Sequence, residues 1–215
     1  MKSNQMSDNF ITGSVLALTG GFLDAYTYIC RGKVFANAQT GNIVLFGVRL
    51  SEKNFMGAAQ YVAPIIAFVL GIILANAVRL KYKDTQMLHW RQIIVGLELA
   101  VLLIVANMPQ GNLDSIANIA VSFVCSLQVE SFRTVNGYAY ASTMCTGNLR
   151  SATERMFNYF KTNKSEELKA GFHYYGIILF FIAGAALGAG FTKMISTKAV
   201  YTVSYTHLRA HETRR

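Results

Sequence analysis

Charge is what this sequence has least of. Asp, Glu, Lys and Arg make up 14% of its 215 residues, where a soluble domain carries about 25%. Hydrophobic residues reach 53%, and the mean hydropathy is +0.32. So little charge excludes the hydrated surface of an ordinary soluble domain. Two prolines and 11 acidic residues leave no room for a long linker or an appended soluble domain. Cysteine is scarce too. Cys30, Cys125 and Cys145 are odd in number and match no metal or redox spacing. Their use as small apolar side chains accounts for them. The opening MKSNQMSDNF lacks the basic region and cleavage site of a signal peptide, so the first apolar segment is expected to stay. There is no H-E-x-x-H, nucleophile elbow, P-loop or dinucleotide fingerprint. His89 and His173 sit near segment ends, and His207 and His211 in the C-terminal tail. The expectation is no enzyme, no metal and no cofactor.

What is present is a series of apolar segments, most of them about 17 to 25 residues long, the length a bilayer crossing needs. They run from about Phe10 to Cys30, Ala58 to Leu80, Gln92 to Met108, Leu113 to Val135 and Phe172 to Met194. A shorter piece covers Asn42 to Leu50, and a polar, charge-mixed stretch covers Ser151 to Lys169. A spanning chain must satisfy its own backbone, so the long segments are read as transmembrane helices of an all-α polytopic membrane protein. The lipid bilayer is then its first partner. The net charge of +9 would suggest nucleic acid in a soluble protein. Here the cations fall in short loops, where they set topology and meet anionic headgroups. No nucleic acid is expected. Gly184 and Gly188, with Ala185 and Ala189, suggest a close helix–helix contact.

One polar tripeptide occurs twice: Thr40-Gly41-Asn42 in ANAQTGNIVLFG and Thr146-Gly147-Asn148 in ASTMCTGNLRSA. Superposing the copies puts Asp24 on Glu130, each sixteen residues before its TGN threonine. After a short insertion, Tyr61 falls on Tyr174, Phe68 on Phe181 and Gly71 on Gly184. An internal duplication is the simplest cause. Repeat one covers about 10–108 and repeat two about 113–203, within one transmembrane domain over 1–203. The segment at Gln92 should have a counterpart near residue 205, but SYTHLRAHETRR stands there, polar and basic. Residues 204–215 are therefore read as a non-native tail, and the last helix of repeat two as missing. If the TGN-led pieces do not cross, each repeat holds three helices and the two are inverted. If they cross, the repeats are parallel. Basic residues in the loops favour the inverted layout with a cytoplasmic N-terminus.

With GGFLDAYTYICRGKVFANAQTGNIVLFG and SLQVESFRTVNGYAYASTMCTGNLRS, the chain resembles the YoaK-like family of small bacterial inner-membrane proteins, over roughly Gly13 to Met194. The motifs are a G-x-x-D element and TGN, then a Q-centred element and a second TGN. Where family members show an Asn-like position, this chain has Glu130. The resemblance implies a six-helix protein of the bacterial cytoplasmic membrane, of unknown function and sometimes labelled a permease.

Several residues could carry chemistry. An ionised carboxylate at Asp24, mid-segment, costs at least about 2.5–3.5 kcal/mol. It is retained if it faces a polar cavity, carries a proton or finds a partner, such as Arg31. Glu130 can pair with Arg133 three residues on. Glu98 is the most isolated acid and could complete a site with Asp24, or pack neutral at a helix interface. Gln128 belongs to the second motif. In each TGN, glycine allows unusual backbone angles, and Asn or Thr can cap the helix that follows. Ser151 and Glu154 add an S-x-x-E capping pattern. Two breaks at equivalent places point to a binding site near the repeat interface, or else to two interfacial turns. The candidate substrate or ion site is Asp24, Thr40, Gly41, Asn42, Glu98, Gln128, Glu130, Thr146, Gly147 and Asn148. The functional expectation is a small secondary transporter or permease for a small solute, with the proton as candidate coupling ion. A non-transporting membrane scaffold or assembly protein is the alternative. The sequence leaves a homo-oligomer open.

Overall fold

The computed structural model describes residues 10–83, 90–135, 138–140 and 142–203. The suspected tail, His89, His207 and His211 lie outside the described residues. Seven α-helices follow one another: α1 (Phe10–Cys30), α2 (Gln39–Ser51), α3 (Phe55–Tyr82), α4 (Trp90–Ala106), α5 (Asp114–Ser131), α6 (Cys145–Thr162) and α7 (Ser165–Ile195). A two-residue antiparallel pair, β1 (Thr134–Val135) with β2 (Tyr138–Ala139), connects α5 to α6, and a 3-10 turn over Ser196–Ala199 follows α7.

Helices α3 and α7 are long and apolar enough to cross a membrane by length and composition. At 1.5 Å per residue the 28 residues of α3 reach about 42 Å, beyond the roughly 30 Å hydrocarbon layer. The 13 residues of α2 reach only about 20 Å, too short to cross. Both long helices turn large apolar side chains outward, Ile66, Leu70 and Ile73 from α3 and Leu179, Ile182 and Leu187 from α7. Helices α1 and α5 are the inner pair. They bury the polar groups Thr19, Asp24 and Thr27 on one and Asn118, Ser122, Ser126 and Gln128 on the other. Outward greasy helices around an inner polar pair are what a bilayer solvent demands.

Two of the sequence segments need correction. The stretch Ser151–Lys169 is not a loop: α6 occupies it up to Thr162, and α7 starts at Ser165. Segment hydropathy overlooked α6 because its apolar residues form one face. Phe157 and Phe160 stand exposed among Arg150, Arg155 and Lys161, the pattern of a helix lying at an interface. Asn163, left-handed at φ 55°, ends α6, and acids at Glu166 and Glu167 favour the start of α7. At the other boundary, α5 stops at Ser131 rather than Val135.

Helix α1 packs along α7, and α3 along α5. Each contact is made backbone to backbone at a glycine. A Cβ on Gly184 would collide with Leu18 O of α1, and one on Gly188 with Phe22 O. On the other pair, a Cβ on Gly71 would collide with Ser126 Oγ and Phe123 O of α5. Helix α2 leans on α3 and α6 on α7. The steps Leu18–Gly184 and Phe22–Gly188 advance together, so α1 and α7 run parallel. Helices α1 and α5 run antiparallel. Gln128 Nε2, late in α5, donates to Leu16 O, early in α1, and Asn118 Nδ2, early in α5, donates to Arg31 O just past the end of α1.

Arg31 closes that end of the bundle. The sequence reading offers it as a partner for Asp24, and the structure corrects this: the guanidinium is fully buried and pairs with Asp114 at 2.9 Å. Its Nε donates to Tyr26 Oη at 2.8 Å, and the two Nη groups donate to the carbonyls of Val105, Met108 and Pro109. The five-donor fork thus ties α1 to the turn between α4 and α5.

Candidate functional site

The segment after α1 runs from Arg31 to Ala38, and three side chains hold its shape. Asp24 Oδ1 accepts from the Asn37 N–H at 2.7 Å, while Asn37 Nδ2 donates to Gly20 O at 3.0 Å. Asn42, fully buried, reaches back seven residues. Its Oδ1 accepts from Phe35 N–H, and its Nδ2 donates to Phe35 O and to Gln39 Oε1. An amide that meets both backbone groups of one residue fixes that loop as a strand partner would. The TGN side chains therefore do not cap, against expectation. The cap positions are Ala38 and Met144, neither with a side-chain cap bond, and TGN forms the first turn inside each helix. Ser151 and Glu154 likewise lie within α6, too far along to cap its start.

The two helix starts face one cavity of about 750 Å³. Ala38, Gln39 and Thr40 of the first and Met144, Cys145, Thr146 and Gly147 of the second line it. Asp24 stands in its wall, 7% exposed, with Phe68, Phe181 and the stacked rings of Tyr28 and Phe35 around it. Each helix turns its positive end toward this space. A second cavity of about 1000 Å³ adjoins it and shares Phe68, Met144 and Gly147 with the first. Glu130, Asn148 and Arg133 belong there, and Arg133 Nη1 lies 3.3 Å from Glu130 Oε1.

The structure thus brings together Asp24, Thr40, Thr146 and Gly147, and places Glu130 and Asn148 next door. It leaves the other candidates apart. Gly41 packs on the Phe35 ring. Gln128 joins helices, its Nε2 donating to Leu16 O and Ser142 Oγ. Glu98 is fully buried in α4 and does not line the cavity with Asp24. Asn37 was missed in the sequence, although it aligns with Thr143 under the TGN superposition and both line the cavity. Among the described residues, no group of three or more His, Cys, Asp or Glu side chains is placed to hold a metal ion.

A helical bundle whose two longest helices expose apolar side chains while the inner pair buries polar ones fits an integral membrane protein. The sequence profile of a family of proteins of unknown function, DUF1275, matches residues 12–208, and the chain belongs to that family. It is 27% identical over 164 residues to the UPF0700 transmembrane protein YoaK of Bacillus subtilis (strain 168), covering 73% of this chain and 72% of the relative. No solved structure matches.

Proposed function

We propose that the chain is a small secondary transporter, or permease, for a small solute in the bacterial cytoplasmic membrane, with Asp24 as its proton site. The observation that carries this reading is the shared cavity, where two equivalent helix starts and one intramembrane acid converge. A cavity of several hundred Å³ suits a small organic solute. Broken helices that present their positive ends to a cavity at a repeat interface are a recurrent transporter design. The architecture in this reading is two inverted three-helix repeats. Its support is the antiparallel setting of α1 and α5 and the exchanged packing of α1 on α7 and α3 on α5. The glycine contacts add to it: Gly184 meets Leu18, and its counterpart Gly71 meets Phe123, one residue from the counterpart of Leu18. Helices α2 and α6 then re-enter or lie at the interface, and the N-terminus is cytoplasmic. Transport is by rocking one repeat against the other; no covalent catalysis is part of the proposal.

A scaffold reading draws support from Asn42 and Gln128, which are consumed by internal hydrogen bonds. The open cavity favours transport over it. The deciding experiment is solute uptake by proteoliposomes bearing Asp24→Asn. Asn keeps an acceptor for the Asn37 N–H but has no site for the proton. Uptake is expected to vanish while the protein still reaches the membrane; undiminished uptake removes Asp24 from the mechanism.

A further inference from the structure

The second cavity differs from the first in kind. Four cations line it: Arg79 and Lys83 from the end of α3, Arg91 from the start of α4 and Arg133 from the segment after α5. Glu130 is the one acid among the lining residues, and it is paired with Arg133. Cations at the end of α3 complement that helix's own dipole. Arg91 does not, because the first turn of a helix is where a cation is least favoured. It is held by Trp90 and Phe132, whose rings lie 5.1 and 5.6 Å from its guanidinium carbon, and by Nε donation to Ser131 O. Three elements thus aim positive charge into one concavity, whose low-dielectric walls concentrate the field on whatever enters. The neighbouring cavity is walled mainly by aromatic and aliphatic groups, with Asp24 and the polar residues of the two helix starts among them, and the two cavities share Phe68, Met144 and Gly147.

We infer that the paired cavities bind an amphipathic anion, its carboxylate or phosphate head among Arg79, Lys83, Arg91 and Arg133 and its apolar body in the cavity beside Asp24. The inference rests on the transport reading only for its consequence, that this is the substrate class. Arginine forks suit planar or tetrahedral oxyanions, and the apolar chamber selects among them by the body attached. Asp24 tolerates such a guest when it carries a proton, which would tie entry of the anion to uptake of H⁺.

Trp90, the one tryptophan of the chain, lines the basic cavity and reports its occupancy. The full chain in neutral detergent is titrated with octanoate, with 1-octanol as the uncharged counterpart and inorganic phosphate as a head without a body. Octanoate is expected to change Trp90 emission saturably and more tightly than either control. The exposed pair R79Q/K83Q should weaken octanoate about tenfold and leave octanol within about twofold, with the elution profile unchanged. Equal binding of octanoate and octanol, an unaffected double variant, or no saturable response each overturns the inference. Nanodiscs of phosphatidylcholine, with and without phosphatidylglycerol, identify the source of the head. Octanoate binding unaltered by phosphatidylglycerol assigns a free solute; competition between them assigns the same chemistry to a lipid headgroup. These measurements are made at equilibrium, so their failure is distinct from a failure of uptake in Asp24→Asn.

Discussion

Asn42 and Asn148 hold the same position in the first turns of two helices, both buried, yet their surroundings differ. Around Asn42 the chain is tied down: its amide holds Phe35, Asp24 holds Asn37, and Arg31 bolts the end of α1 to the α4–α5 turn. Around Asn148 the described residues form cavity wall. Gly147 lines two cavities at once, Asn148 the basic one, and Glu130, the counterpart of Asp24, faces that second cavity with an exposed arginine as partner. The two aligned acids thus meet different partners, Asp24 a backbone N–H and Glu130 a cation. Similar sequence does not impose similar surroundings, because the residues around each turn decide what its acid meets.

That contrast can be broken most forcefully at Arg31. Removing it leaves Asp114 and three carbonyls without their donor, so Arg31→Ala should lower thermal stability in detergent by about 3–5 kcal/mol. Arg133→Ala should cost less than about 1 kcal/mol, since its side chain is 62% exposed. Next come the helix crossings. Gly184→Ala and Gly71→Ala should each cost about 1–3 kcal/mol through overpacking, whereas Gly190→Ala, with nothing within 4 Å of the added methyl, should cost nothing. Comparable losses at 184 and 71 would sharpen the match of the two interfaces; a loss at only one would end it. Asn42→Ala should follow at about 1–2 kcal/mol, seen in the same melts. The smallest effect is kinetic. Cys145 lines the apolar cavity while Cys30 and Cys125 are buried, so a maleimide should modify Cys145 first, counted by intact mass. Faster labelling of Cys30 would contradict its burial.

Much of the helix layout was legible. The first segment, Phe10–Cys30, coincides with α1, because an uninterrupted apolar run with no proline has few alternatives in a membrane. The long segments ending near Leu80 and Met194 were found by their apolar runs, although the first of them carries Pro64 inside α3. Helix α6 was not, since averaging over a window erases an apolar face set against a charged one. The TGN superposition set Thr40 and Thr146 side by side as candidates, and both line the apolar cavity. The residue types also suggested that Asn or Thr would cap; at Asn42 this failed because a buried amide gains more from two backbone groups of Phe35 than from one free N–H. Arg31 misled for a related reason. A loop arginine in sequence looks like a topology signal, and only the folded α4–α5 turn supplies the carbonyls that bury it.

The exchanged packing of α1 on α7 has a consequence for biosynthesis. Helix α1 leaves the ribosome before α7, and the groove-matched glycines Gly184 and Gly188 that receive it lie more than 130 residues later. At about 5–20 residues per second, α1 waits roughly 10–30 s for that partner. Through this interval a helix carrying Asp24 and two backbone-close glycines sits in the bilayer with one side unmatched. Helix α1 thus gains this contact only once α7 is made, and truncations or pauses before α7 should expose α1 to membrane quality control rather than yield a stable half.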